Sequence, residues 1–97
     1  MGSGIHAKTK MNIIKILNLL RENGEMHLRG ISTVLEINSG TVFNIIETYL
    51  NDFVEVRYFE YAGFRAKLIK LKEGKEMTTL NGVLKHYRVR KVIKNRS

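Results

Sequence analysis

The sequence predicts an α+β fold that is mostly α. Three observations point there. Apolar residues recur at helical spacing in three stretches before residue 51, two segments rich in β-branched and aromatic residues flank Ala62-Gly63, and a fourth helical stripe follows. With 97 residues and 43% apolar content, the chain suits one domain around a small core.

From Lys10 to Asn23, Ile13, Ile16, Leu17 and Leu20 recur at i, i+3, i+4 and i+7; Ile14 and Leu19 widen the stripe, and Gly24 is placed to end it. The stretch EMHLRGISTVLEI supports a shorter second helix through Leu28, Ile31, Val34 and Leu35, with Gly30 as its weak point. Turn residues Asn38, Ser39 and Gly40 come next, and Asn38 or Ser39 is positioned to accept the free N–H groups that open a third helix. Val42, Ile45, Ile46, Tyr49 and Leu50 give that helix one apolar face.

FVEVRYFEY and FRAKLIKLK then read as a hairpin across Ala62-Gly63, where Gly63 accepts positive φ. After KEGKE, Met77, Leu80, Leu84 and Tyr87, with Val83 beside them, mark a fourth helix whose apolar face ends at Tyr87. Residues 88–97 fit a helical extension, an edge strand or a frayed tail equally well. The order helix, helix, turn, helix, hairpin, helix describes a winged helix-turn-helix: a three-helix core, a two-stranded wing and a C-terminal helix. The expected layout is a disordered tail at 1–9, in which Met1–Gly4 reads as a vector-derived scar, a domain at 10–76, and a basic dimerisation helix or tail at 77–97.

The formal charge of +8 favours a polyanionic partner, and its distribution sharpens the point. Residues 1–63 carry six bases against seven acids, whereas 64–97 carry eleven against Glu73 and Glu76. The alternative reading of this excess is a Lys-rich solvated surface. No apolar run approaches the ~18 residues of a membrane span, and the first ten residues lack the apolar centre of a signal peptide, so a soluble cytoplasmic protein is expected. With no Cys and with His6, His27 and His86 far apart, neither a metal nor a cofactor is expected. The residues offer no Ser/His/Asp grouping, paired carboxylates or phosphate-cradling glycine loop, so no enzyme is expected either.

At Thr41–Arg57 the chain reads TVFNIIETYLNDFVEVR, which resembles the TVSxHLxxLxxxGLVexR recognition helix and first wing strand of MarR/ArsR-like winged-helix transcriptional regulators of archaea and bacteria. LIKLKEGKE, Leu68–Glu76, is similar to that family's xLTxxGxE exit from the second wing strand. Together the matches span roughly residues 10–77. Phe43 and Asn44 stand where the family has Ser and a basic residue, and Asp52 or Phe53 replaces its glycine before the wing. The resemblance implies double-stranded DNA binding, as a homodimer built on terminal helices, with the third helix in the major groove and the wing on the adjacent backbone or minor groove.

Successive residues about 100° apart place Gly40, Asn44, Glu47 and Asn51 opposite the apolar face of the third helix, with Thr41 and Thr48 on one flank and Phe43 on the other. Asn44 suits a bidentate bond to adenine; Ser39, Thr41 and Thr48 suit phosphate or base edges, and Phe43 suits a thymine methyl. Such a face favours A·T-rich sites, and the competing reading is a merely solvated surface. Glu47 cuts the other way, since it repels phosphate unless it accepts from cytosine. The missing attraction is expected from Arg65, Lys67, Lys70 and Lys72 of the hairpin, with Arg65 next to the tip best shaped for a narrow minor groove. Strand alternation limits how many of the four meet one backbone, and edge-strand protection is their competing role.

His27 and Arg29 start the second helix, where the resemblance implies phosphate contact. Met77, Leu80, Leu84 and Tyr87 are expected to dimerise, leaving Lys85, Arg88, Arg90, Lys91, Lys94 and Arg96 to flank DNA or to form a solvated tail. His86 is expected at the surface. The expected function is double-stranded DNA binding in transcription regulation. The alternatives are a winged-helix protein-interaction module of transcription, replication or partition machinery, and an RNA- or ribosome-associated basic protein.

Overall fold

The computed structural model describes residues 5–96, so the proposed scar at Met1–Gly4 lies outside the described residues. Four helices pack with a three-stranded antiparallel sheet of order β1-β3-β2. Helix α1 (Ala7–Asn23) buries Ile13, Ile16, Leu17 and Leu20. It starts at Ala7, so the tail expected through residue 9 is shorter, and the Lys10 N–H already donates to the His6 carbonyl at 3.0 Å. Gly24 ends it at φ 74°, returning its N–H to Leu20 at 2.8 Å.

Met26–His27 do not open the second helix; they form a short strand, β1, paired with Ile69 and Leu68. A free strand edge attracts any extended segment that brings matching amides, and this pairing makes the sheet three-stranded where a two-stranded hairpin was expected. Helix α2 (Leu28–Leu35) turns Leu28, Ile31 and Leu35 inward. Val34, expected on that stripe, is 58% exposed, because it sits about 90° round the helix from the row its neighbours form.

The connection from α2 to the next helix is tightly bonded. Glu36 adopts φ 56°, its N–H meets the Thr33 carbonyl, and the Ile37 N–H returns to Ser32 at 3.0 Å, a Schellman closure on a residue that is not glycine. Asn38 then caps helix α3 (Ser39–Ile45), its Oδ1 accepting from the Gly40 N–H at 2.7 Å. A Cβ on Gly40 would lie 3.0 Å from that same oxygen and would press on the cap. The helix runs on as a π turn, Ile46–Leu50, and Val42, Ile45, Ile46 and Leu50 all enter the core.

Strands β2 (Val54–Tyr61) and β3 (Phe64–Leu71) pair without interruption from Val54 opposite Leu71 to Tyr61 opposite Phe64. Ala62 at φ 51° and Gly63 at φ 86° make the two-residue connection, the signs of a type I′ turn. Met26, Val54, Val56, Ile69 and Leu71 share the sheet's inner face over the core.

Helix α4 (Leu80–Arg96) is opened by Thr79, whose hydroxyl accepts from the Gly82 N–H at 3.1 Å. Met77 therefore lies in the preceding turn, 84% exposed, and not on the helical stripe. Residues 88–96, which periodicity left open, continue the helix. Its first half buries Val83 and Leu84, whereas Val89 and Val92 remain largely exposed. Arg21 fastens the segment before α4 to α1, donating Nε to Glu76 O at 2.6 Å and Nη2 to Thr78 O at 2.8 Å. Among the described residues no helix is long and apolar enough to cross a membrane.

Candidate nucleic-acid interface

The exposed side of α3 has the composition its phase predicts. Gly40, Thr41, Asn44, Glu47 and Asn51 are exposed, Ser39, Phe43 and Thr48 half-buried at its margins. Asn38, as the cap, leaves the Ser39 hydroxyl unused by the helix start.

The four hairpin cations go to different places. Register and alternation put Arg65 and Lys67 on the sheet face that also bears Ile69, Tyr58 and Glu60, the face turned toward the helices. Lys67 reaches α3: its Nζ stands 3.9 Å from the centroid of the Phe43 ring. An ammonium over an aromatic face is held by the ring quadrupole, so the contact couples hairpin to helix and places a positive charge beside the neutral residues of α3. Arg65 lies 3.6 Å from Glu60 across the strands, both side chains well exposed. An ion pair so open to water is worth little and exchanges readily for another anion.

Lys70 lies on the opposite face, opposite Glu55. Nearby, Arg57 grips Glu25 through two hydrogen bonds of 2.8 and 3.0 Å, a fork that crosses the outer face of β3. The Arg57 guanidinium holds the Glu25 carboxyl below its ordinary range, with Lys70 adding to the effect. Lys72 lies just past β3, where its N–H bonds the Phe53 carbonyl at 2.9 Å, at the base of the hairpin and ~17 Å along the strand from Lys67. Arg29 is exposed in the first turn of α2, and His27 belongs to β1.

The basic helix α4 has a structural duty that the sequence reading missed. Asp52, just after the π turn, accepts from His86 Nε2 at 2.7 Å and from Arg90 Nη1 at 3.3 Å. Arg90 also donates Nη2 to the carbonyl of Thr48, one of the carbonyls a helix end leaves without a partner. The His86 imidazole, and then Arg90, hold the Asp52 carboxyl below its usual range against the opposing cost of desolvation. Tyr87 packs on Tyr49 with ring centroids 4.8 Å apart, and Phe53 meets His86 edge-on at 5.1 Å. The spacing of His86 and Arg90 at i, i+4 was the available signal, since it puts both on one side of a helix.

The expected dimerisation residues are therefore mostly used within the protomer. Leu84 is buried, Leu80 packs against the core, Tyr87 covers Tyr49, and only Met77 stands out in solvent. Lys85, Arg88 and Lys91 are exposed along α4, and the side chains of Lys94 and Arg96 lie outside the described residues. An open groove of about 400 Å³ runs between α1 and the start of α4, lined by Ile14, Leu17, Asn18, Arg21 and Thr78–Asn81. Among the described residues no three His, Asp or Glu side chains gather as metal ligands.

No protein-family model matches the chain, and no curated protein matches it significantly.

Proposed function

We propose that the chain is a winged helix-turn-helix protein of the MarR/ArsR-like kind that binds double-stranded DNA, with α3 in the major groove and the β2–β3 wing on the adjacent backbone or minor groove, in transcription regulation. The observation that carries this reading is Lys67 over Phe43. The attraction that a neutral helix lacks is supplied at its margin by a cation from the wing. Asn44 and Thr41 then read base edges, Ser39 and Thr48 contact the backbone, and Arg65 exchanges Glu60 for phosphate.

The test is titration of a labelled duplex at about 50 and 200 mM salt. Affinity falls steeply as salt rises, and Lys67→Ala lowers the slope of log K against log salt by about 0.9, the contribution of one phosphate. Lys70→Ala, on the far face of the sheet, leaves the slope unchanged. No duplex retention in dilute salt, or equal effects of the two substitutions, overturns the reading.

A further inference from the structure

The order β1-β3-β2 leaves the outer side of β2 as a sheet edge. In a hairpin with a two-residue connection the flanking pair, Tyr61 and Phe64, is hydrogen-bonded, so alternate residues back along β2 bond inward to β3. Val54, Val56, Tyr58 and Glu60 consequently turn N–H and C=O outward. Edge strands are commonly blunted by Pro, Lys, a bulge or a covering segment. β2 holds neither Pro nor Lys, its charges Glu55, Arg57 and Glu60 each stand against an opposite charge within the protomer, and it stays in unbroken register for eight residues.

The side chains beside this edge are aromatic. Phe59 and Tyr61 stack at 6.3 Å on the outer face, Phe64 stands opposite Tyr61, and the three are 50%, 72% and 77% exposed. Phe59 and Tyr61 lie on the edge strand itself and Phe64 one strand in, so a strand added at β2 makes side-chain contact with the first two. Tyr58, on the other face, and the strand edge itself add to it. Charges here cancel: Glu60 faces Arg65, Arg57 holds Glu25, and Glu55 pairs across from Lys70.

We propose that this edge is where two copies of the chain join, β2 pairing antiparallel with β2 of a second copy about a twofold axis through Tyr58. In that register Tyr58 stands opposite Tyr58, Val56 opposite Glu60, and the aliphatic stem of Arg57 beside Phe59. The outward amides of Val56, Tyr58 and Glu60 then find partners in the second copy. A second copy fits better than a polyanion because the patch is locally neutral, and a chain of net charge +8 meets itself most easily through a neutral face. The inference is independent of what α3 binds, and it moves the homodimer contact from α4 to the hairpin.

Sedimentation of the protein free of nucleic acid, over a concentration series into the high micromolar range, tests it. The chain sediments as a dimer. Tyr58→Pro, which removes an outward N–H while sparing the β2–β3 ladder, weakens the dimer roughly 30-fold, the loss of two reciprocal hydrogen bonds and their seating. Phe59→Lys, at an exposed position, weakens it as well with circular dichroism unchanged, and Val92→Lys on α4 does not. Tyr58→Cys, in a chain with no other Cys, cross-links to itself with a short bis-maleimide. A monomer at every concentration overturns the inference, as does a dimer that survives both β2 substitutions or is lost only with Val92→Lys. A monomer whose tyrosine fluorescence is quenched by single-stranded oligonucleotide also overturns it, assigning the aromatic face to base stacking instead.

Discussion

Arg90 on α4 donates to the main-chain carbonyl of Thr48 within the π turn, and its other amino group reaches Asp52. The helix that begins the candidate interface is thus stoppered at its far end by a cation from the C-terminal helix. Hydrogen bonds with one charged partner are worth about 1.5–3 kcal/mol when shielded, and less at the partial exposure of this pair. Arg90→Ala is expected to cost about 1–2 kcal/mol and to lower Tm by roughly 4–16 °C in thermal unfolding. Arg90→Lys recovers only part, since an ammonium does not span both acceptors. An unchanged Tm in Arg90→Ala would remove this cation from the account of α4 docking.

Acid should loosen the same junction. Asp52 and Glu25 both titrate below their ordinary values because His86 and Arg57, respectively, favour their charged forms. A carboxyl whose folded pKa lies below its unfolded one contributes fully above the unfolded value, about 4, and loses that contribution as pH falls through the folded one. Tm should therefore hold from neutrality to about pH 5 and decline below about pH 4. Asp52→Asn should start lower at neutral pH and decline less; an acid limb parallel to that of the unsubstituted chain contradicts the assignment.

The hairpin turn leaves stability unclaimed. Ala62 holds φ 51°, a conformation that costs an L-residue other than Asn, Asp or Gly about 1 kcal/mol. Ala62→Asn restores the Asn-Gly pair favoured in type I′ turns and should stabilise by about 0.5–1 kcal/mol, raising Tm by roughly 2–8 °C. Gly63→Ala, at φ 86°, should do the reverse. If both variants melt alike, the turn is not of this type.

Glu47 is exposed on the face of α3 proposed to meet DNA. Replacing it with Gln removes a repulsive charge near phosphates and should tighten duplex binding by about 3- to 10-fold at low salt, with the gain fading as screening rises. Weaker binding, confined to sites carrying cytosine at one position, would instead show the carboxylate accepting from a base.

The elements with strong periodicity were legible. Ile13, Ile16, Leu17 and Leu20 in α1, and Val42, Ile45, Ile46 and Leu50 through α3 and the π turn, are buried as their spacing required. Short or interrupted patterns were not. Met26–His27 are two residues whose strand character comes from β3, more than forty residues away, and no local signal announces such a pairing. Met77 kept helical phase with Leu80 and Leu84, yet Thr79 begins the helix because its hydroxyl can take the orphan N–H that Met77 cannot. At the candidate interface, helical phase indicated which side chains of α3 face out, and strand alternation indicated that Lys67 and Lys70 part company. That Lys67 meets Phe43, and that Arg90 serves α4 docking, depends on how elements cross, which one-dimensional spacing does not carry.

The π turn at Ile46–Leu50 amounts to one surplus residue within a helix that would otherwise be regular. Its presence sets the rotational offset between Asn44, before it, and Asp52, after it. Deleting a single residue there would rewind the helix by about 100°, and the carboxylate now clasped by His86 would swing away from α4 while the amide upstream kept its heading. One inserted amino acid thus acts as a dihedral shim, letting a single continuous rod offer one bearing to the outside and another to its own C-terminal helix.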